Sequence, residues 1–301
     1  MSMRITQSMM TARVLGDLRS DVAATARTQA QVSSGKKIAR PSDDPLGTRD
    51  AISRRTELES LAQYRRNAGE AASRLDATDS ALQSVSQITQ RVRELTVQGG
   101  NDSTGANGRA AIAKEIDQLI ESAKAAVNVK VGDAYVFSGT ASTTPPYASP
   151  ADTFQGNGAA VVRQVGPGVS IDVGVSADFV LGSGGGDGRL LDTLRSIKAH
   201  LLGGTPADAN ALRGTDLAAL DANVSTVTDK LAVVGARRNL VDAADARLVE
   251  AQGTTTQLLS DVEDVDYADA LMRLSSQQSA YQAALHAGAQ ILQPSLMDFL
   301  R

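Results

Sequence analysis

The sequence of 301 residues contains no cysteine and no tryptophan, and aromatic residues make up only 3% of it. Without cysteine, the chain can form neither a disulfide nor a thiolate metal site. Its apolar residues are mostly alanine, leucine, valine and isoleucine, which suit narrow helix–helix seams better than an aromatic-lined ligand pocket. The net charge of −4 is too small to indicate nucleic acid or an anionic membrane as a partner.

The sequence also lacks a run of about 18 apolar residues, so it predicts no transmembrane helix. No apolar segment of the secretory type follows Met1, which predicts no cleaved signal peptide. Taken alone, this indicates the cytoplasm, but it does not exclude export by a route that cleaves no signal. The two histidines, His200 and His286, fall in separate predicted helices, and a solvated or half-packed role is favoured over a metal site.

The stretch that organises the chain is a heptad stripe near its C-terminal end. Its members alternate at steps of three and four residues, the spacing that places one stripe of a helix against a partner helix. The stripe consists of Leu271, Leu274, Gln278, Tyr281, Leu285, Gly288 and Leu292, and its apolar face is extended by Leu296 and Phe299. Because such a helix gains most of its stability from packing, it needs a partner.

A weaker stripe with the same alternation lies near the N-terminal end. It consists of Leu15, Leu18, Val22, Thr25, Gln29 and Val32. One interpretation is a surface helix of a globular bundle. The other, favoured by the similar period and length of the two stripes, is that both chain ends form one coiled coil.

A non-helical connector follows the N-terminal stripe. Gly35 is a plausible helix stop, and Asp44 before Pro45 suits an N-cap with proline at the first helical position. A long helix is therefore predicted from Pro45 to about Gly99, and a second helix ends near residues 132–133. The two are predicted to form an antiparallel helical hairpin.

The period then changes to that of short strands separated by glycine and proline. The predicted strand-like runs are 134–139, 153–155, 160–165, 169–173 and 179–181, and the sequence favours a small β insert over about 140–187. Leu190 to Leu201 suggest a short helix after it. The Gly-rich run 182–188 fits neither a dinucleotide fingerprint nor a Walker loop, so a linker is predicted.

The most regular alternation in the chain predicts a second long helix. Its stripe consists of Leu217, Leu220, Val224, Val227, Leu231, Val234, Arg238, Val241, Asp245, Leu248, Gln252, Thr255 and Leu259. The polar members Arg238, Asp245 and Gln252 either fix the register or face a hydrated interface, or this part of the helix frays or curves into solvent. An acidic connector over 261–269 follows. Its spacing lacks the glycine and final glutamate of an EF-hand loop, so carboxylates at the start of the last helix are favoured over a calcium site.

The predicted fold is mainly α: a long coiled-coil-like helical rod made from both chain ends, with a small inserted β domain at the far tip. The predicted domains are 1–40 with 268–301 (terminal coiled-coil helices), 41–139 with 188–267 (helical rod) and 140–187 (β insert). No catalytic, cofactor or metal residue is predicted. A carbohydrate-active hydrolase is the enzyme alternative, and the carboxylates that the insert offers to it are Asp152, Asp172, Asp178 and Asp187.

The connector and both ends resemble the flagellin-type family of bacterial axial proteins. The segments that carry the resemblance are 3–6, 33–38, 42–45, 93–98 and 262–268, and the similarity covers about residues 3–140 and 235–301. The start at 3–5, the segment 135–140 and the end at 296–301 resemble the junction proteins of that family more than flagellin, the filament subunit, which stays the alternative.

The resemblance implies a non-enzymatic structural adaptor between hook and filament, with no cofactor, nucleic acid or membrane. Such proteins leave the cytoplasm through the flagellar type III channel and form a ring in the axial structure, between the first hook-associated junction protein and flagellin. The residues expected to pack between terminal helices and subunits are Leu15, Leu18, Val22, Val32, Leu271, Leu274, Tyr281, Leu285, Leu292, Leu296 and Phe299. An export chaperone is expected at Leu285, Leu292, Leu296 and Phe299.

Overall fold

The computed structural model describes the backbone of residues 7–292 and the side chains of residues 9, 10 and 12–289. The chain is 71% helical, with a small sheet region, which confirms the predicted mainly α fold class. The helices are α1 (Gln7–Ser34), α2 (Pro45–Gly99), α3 (Ala106–Val127), α4 (Leu190–Gly203), α5 (Pro206–Arg213), α6 (Thr215–Glu263) and α7 (Tyr267–Leu292). The strands are β1 (Lys130–Val131), β2 (Ala134–Tyr135), β3 (Val162–Gly166) and β4 (Val169–Asp172), and a 3₁₀ helix spans Ala177–Phe179.

Local chemistry sets most helix boundaries where the sequence predicts them. Helix α2 begins at Pro45, and the side chain of Asp44 accepts a hydrogen bond from the backbone N–H of Gly47 at 2.9 Å. Helix α3 ends at Val127, before the predicted stop near Gly132. The difference arises because the chain turns into the β1–β2 hairpin, where Gly132 takes a φ of +61°.

The β region is smaller than predicted. Both of its sheets are two-stranded antiparallel hairpins, β1 with β2 and β3 with β4. The predicted run 153–155 forms only an isolated bridge between Phe154 and Tyr147. The prediction of a strand over 179–181 is wrong, because Leu181 N–H bonds back to the carbonyl of Ala177 in a helical turn.

The described residues form two compact units. The terminal unit contains the residues through Ser60 and those from Ala251 onward, and the central unit is Leu61–Glu250. In the central unit, apolar side chains of the β region, such as Phe137, Tyr147 and Leu181, belong to the same buried cluster as those of the helices. The three-part domain division of the sequence analysis stays a prediction.

The long stripe of α6 is covered along its length. Each of its thirteen predicted members is buried or half-buried, and Leu220, Val227, Val234 and Val241 are at most 1% exposed. The strict alternation therefore predicted both the helix and its buried side. None of the helices between residues 7 and 292 combines the length and the apolar content that a membrane-spanning segment requires.

Candidate assembly surface

Helices α1 and α7 of the terminal unit pack side by side in antiparallel directions. At one end, a Cβ on Gly35 would lie 2.6 Å from the Tyr267 hydroxyl, and at the other a Cβ on Gly288 would lie 3.2 Å from Val14 Cγ1. The small residue at 288 allows this close approach. Segments near the two ends of the chain thus form one helical pair.

The side chains between the two helices form an inner row. Its members are at least half-buried and repeat at steps of three and four. They are Val14, Leu18, Asp21, Thr25, Thr28 and Val32 on α1, and Ala270, Leu274, Gln277, Tyr281, Ala284 and Gly288 on α7. Many of these residues are polar or small, so the seam inside the pair contains little large aliphatic surface.

The predicted stripe is divided between this inner row and an exposed outer row. Leu18, Val32, Leu274 and Tyr281 lie in the inner row. The outer row consists of Leu15, Val22 and Gln29 on α1 and Leu271, Gln278 and Leu285 on α7. Its aliphatic members are 43–52% exposed. The packing of the outer row against other copies stays a prediction, because the pair itself leaves these residues in water.

The outer row borders a groove that runs between the two helices. The groove has a volume of about 480 Å³ and is lined by Val22, Ala26 and Gln29 of α1 and by Gln278, Tyr281 and Gln282 of α7, among others. Both helices therefore present their outer rows on the same side of the pair. The result is a partly apolar surface with a concave centre.

Leu292, Leu296 and Phe299 complete the predicted stripe. The side chain of Leu292, and Leu296 and Phe299 altogether, lie outside the described residues.

The connector between α1 and α2 is fastened to the residues between α6 and α7. Lys36 and Asp264 form an antiparallel backbone bridge, and their side chains pair at 2.7 Å. That hydrogen bond raises the pKa of Lys36 and lowers the pKa of Asp264. The acidic run 261–269 thus contributes to holding the two ends together.

Glu263 forms two ion pairs in this region that the sequence analysis did not predict. Its side chain is 5% exposed and lies 3.2 Å from Lys36 Nζ and 2.7 Å from Arg55 Nη2. Helical spacing gives no signal for this residue, since its partners lie more than 200 positions away. Asp266 has a local role: it accepts the backbone N–H of Ala268 at 2.9 Å at the start of α7.

The carboxylates of the predicted insert take part in local contacts. Asp152 pairs with Arg195 at 2.8 Å and with Lys124 at 3.0 Å, and Asp172 pairs with Arg237 at 2.7 Å. Asp187 accepts backbone N–H groups from Ser183 in the Gly-rich run and from Arg189 just after it. The described part of the chain contains no group of three or more histidine, cysteine, aspartate or glutamate side chains suited to a metal ion.

Of the two histidines, His200 has a defined partner. Its Nδ1 lies 2.7 Å from the buried carboxylate of Asp216. This contact joins the end of α4 to the first turn of α6, which is a packing role. His286 is exposed on α7.

Comparison with known proteins matches the two helical regions of the chain. Residues 5–142 match the bacterial flagellin N-terminal helical region, and residues 217–300 match the bacterial flagellin C-terminal helical region. Flagellar hook-associated protein 3 of Escherichia coli K12 is 25% identical over 305 residues, covering 95% of this chain and 96% of that protein. Flagellin of Bacillus subtilis is 26% identical over 290 residues, covering 94% of each chain.

Solved structures show the same fold. The crystal structure of flagellar hook-associated protein 3 from Legionella pneumophila superimposes with a TM-score of 0.61 at 14% identity, covering 70% of this chain and 98% of that one. Both family models place their matches on the helices that build the terminal pair and the long helices of the central unit. The chain belongs to the bacterial flagellin family, a family of structural proteins of the flagellum.

Proposed function

We propose that this protein is the structural adaptor that joins the hook to the filament of the bacterial flagellum. The likeness to hook-associated protein 3 extends over nearly the full length of both chains. In this role the protein leaves the cytoplasm through the flagellar type III system and acts outside the cell. It forms a ring of identical subunits between the first hook-associated junction protein and flagellin, without cofactor or catalysis.

The observation that carries the proposal is the distribution of side chains on the terminal pair. The inner row contains Asp21, Thr28 and Gln277, whereas the outer row exposes Leu15, Val22, Leu271 and Leu285. A solitary helical pair would be expected to cover its large aliphatic residues first, because burying each one contributes about 1.5–3 kcal/mol. An outer row of this composition is explained if neighbouring subunits cover it.

The same surface suits an export chaperone before assembly. The chaperone would bind Leu285 of the outer row together with the predicted residues Leu292, Leu296 and Phe299. Because one surface serves both partners, chaperone binding and assembly would exclude each other.

A complementation experiment tests the adaptor role. We expect a strain without this gene to make hooks that carry no filaments, and the wild-type gene to restore the filaments. The variant Leu285→Asp should not restore them, because a carboxylate cannot be buried between subunits without a partner. Ala280→Asp is the matched control, since Ala280 is also exposed on α7 but lies on its other flank.

Filaments restored to wild-type number by Leu285→Asp, at equal protein levels, would overturn the role of the outer row. The alternative that the protein is flagellin itself rests on the 26% identity to a flagellin. It predicts that the purified chain alone polymerises into long filaments, whereas an adaptor should not. Long filaments from the pure protein would replace the adaptor with the filament subunit.

A further inference from the structure

A cavity of about 430 Å³ lies in the central unit, between α2 and the two β hairpins. Its polar lining comes from Glu70, Ser73 and Arg74 of α2 and from Arg163 of β3. The remaining wall is formed by small or apolar residues, including Gly69 and Val173. The cavity is separate from the terminal helical pair and plays no part in the proposed assembly surface.

Arg74 is an unusual residue in this wall. It is 8% exposed, and its Nη2 donates to the carbonyls of Val136 at 2.6 Å and Tyr135 at 3.4 Å. Its Nε is buried and has no hydrogen-bond acceptor within the described part of the chain. No described carboxylate pairs with it, whereas buried Lys124 has both Glu121 and Asp152.

The surroundings of Arg74 increase the positive charge at the cavity. Arg163 lines the same space, and burial together with Arg163 lowers the pKa of Arg74 against the opposing charge of Asp172. The nearby carboxylate of Asp172 pairs with Arg237 at 2.7 Å, and Glu70 lies 3.7 Å from Arg163 with most of its side chain exposed. A buried cation without a directly paired carboxylate is costly, so an anion that enters here gains a favourable interaction.

We infer that this cavity binds a small oxyanion from solution, with Arg74 and Arg163 as its two cationic ligands. The guanidinium group offers parallel N–H donors that match the oxygens of a phosphate, sulfate or carboxylate group. Structural capping of the hairpin carbonyls accounts for Nη2 of Arg74, but it leaves the buried Nε of Arg74 without a partner among the described residues. The bound anion would hold α2 and the hairpins together.

Titration of the full-length protein with inorganic phosphate and with sulfate tests this site. We expect saturable binding by calorimetry and a rise in the melting temperature, relative to chloride at the same ionic strength, because a ligand that binds only the folded state stabilises it. Arg163→Gln should weaken binding about tenfold, the equivalent of one charge-assisted hydrogen bond. Glu70→Gln should tighten it, since a nearby negative charge is removed.

Arg163 and Glu70 are both exposed, so Arg163→Gln and Glu70→Gln are expected to fold. Arg66→Gln is the matched control on α2, because Arg66 is exposed and bonds to Gln63. Arg74→Met should abolish binding, with circular dichroism as the check that it folds. Absence of saturable binding to the wild type, or equal affinities for wild type, Arg163→Gln and Glu70→Gln, would overturn the inference.

Discussion

The central and terminal units carry the same heptad alternation, but only the central unit covers all of it. In α6, the stripe from Leu217 to Leu248 is buried or half-buried at every position. In α1 and α7, every second stripe member between Leu15 and Gly288 is exposed, and Leu15 and Leu271 are about half exposed. Identical spacing thus leads to a closed seam in one unit and an open one in the other.

The difference follows from the number of elements that surround each helix. In the central unit, α6 contacts α2 through Arg238 and Asp76, α4 through Asn223 and Thr193, and β4 through Arg237 and Asp172. A helical stripe whose members are three and four residues apart has two edges. In the central unit, the elements on either side of α6 cover both edges of its stripe. Helices α1 and α7 each cover one edge of the other. The spacing therefore predicts which side of a helix seeks a partner, but not how many partners one chain supplies.

The largest effect is expected from placing the same charge in each seam. Val234 in α6 is 1% exposed and Val22 in α1 is 49% exposed. Val234→Asp should destabilise the central unit by about 3–5 kcal/mol, because an unpaired carboxylate would be buried. Val22→Asp should change the stability of the monomer by less than about 0.5 kcal/mol, as is usual for surface substitutions. Urea denaturation followed by circular dichroism measures both.

The two valine variants form a matched pair, since residue type, substitution and helical context are the same. Equal destabilisation by both would show that the outer row is already covered in the isolated chain. The contrast between the two units would then disappear, together with the main support for assembly through α1 and α7. A large loss of filament formation in Val22→Asp, with unchanged monomer stability, would strengthen the contrast between the two units.

The comparison also shows how much of this molecule the sequence could predict. Asp44, Pro45 and Gly99 mark the ends of α2 because capping and proline geometry act over a few residues. The fold class and the stripe of α6 follow from periodicity, and the family resemblance from short segments in order. The β region was less predictable, since Val180 and Leu181 look like strand residues but are buried in a helical turn.

Charged partners far apart in sequence could not be predicted at all. Glu263 with Arg55, and Lys124 with Asp152, depend on how distant segments come together. The environment of Arg74 was also unpredictable, since nothing in its helical position indicates a buried cation without a paired carboxylate. For the same reason, the cavity beside Arg74 becomes visible only in three dimensions.

Acidic pH is expected to destabilise the central unit more than the terminal unit. This effect should be smaller than that of Val234→Asp. Burial alone would raise the pKa of Asp152, but hydrogen bonds from Arg195 and Lys124 outweigh it and hold the pKa below the ordinary value of 3.8. A carboxyl group with a depressed pKa stabilises the fold above its unfolded pKa, and that contribution is lost as the pH falls through the folded value. The central unit should therefore lose stability below about pH 4.

Asp152→Asn should remove most of this pH dependence and cost about 2 kcal/mol at pH 7, since Lys124 loses a charged hydrogen-bond partner. Asp264→Asn is the control in the terminal unit. The pKa of Asp264 is also lowered, by Lys36 and Ser260, but this carboxylate is largely exposed and its contribution is screened. Thermal melts between pH 3 and pH 7 compare the variants, and an unchanged acid profile for Asp152→Asn would contradict the buried network's role.

The smallest expected effects concern Gly16 within α1 and Gly35 just after its end. Replacing these two glycines with alanine should change the stability of the terminal unit in opposite directions. Gly35 has a φ of +72°, and a Cβ there would lie 2.6 Å from the Tyr267 hydroxyl. Gly35→Ala should therefore destabilise the terminal unit by about 1–2 kcal/mol through backbone strain and this contact. Gly16 lies within α1 with no atom within 4 Å of its added Cβ, so Gly16→Ala should stabilise the helix by up to about 1 kcal/mol.

Amide hydrogen exchange over α1 and α7 is the suitable measurement, because it reports opening of the terminal pair separately from the central unit. The double variant Gly35→Ala with Tyr267→Phe separates the two causes, since it relieves the hydroxyl contact and keeps the backbone strain. Protection in Gly35→Ala equal to that of the wild type would mean that this end of the pair is not held as described.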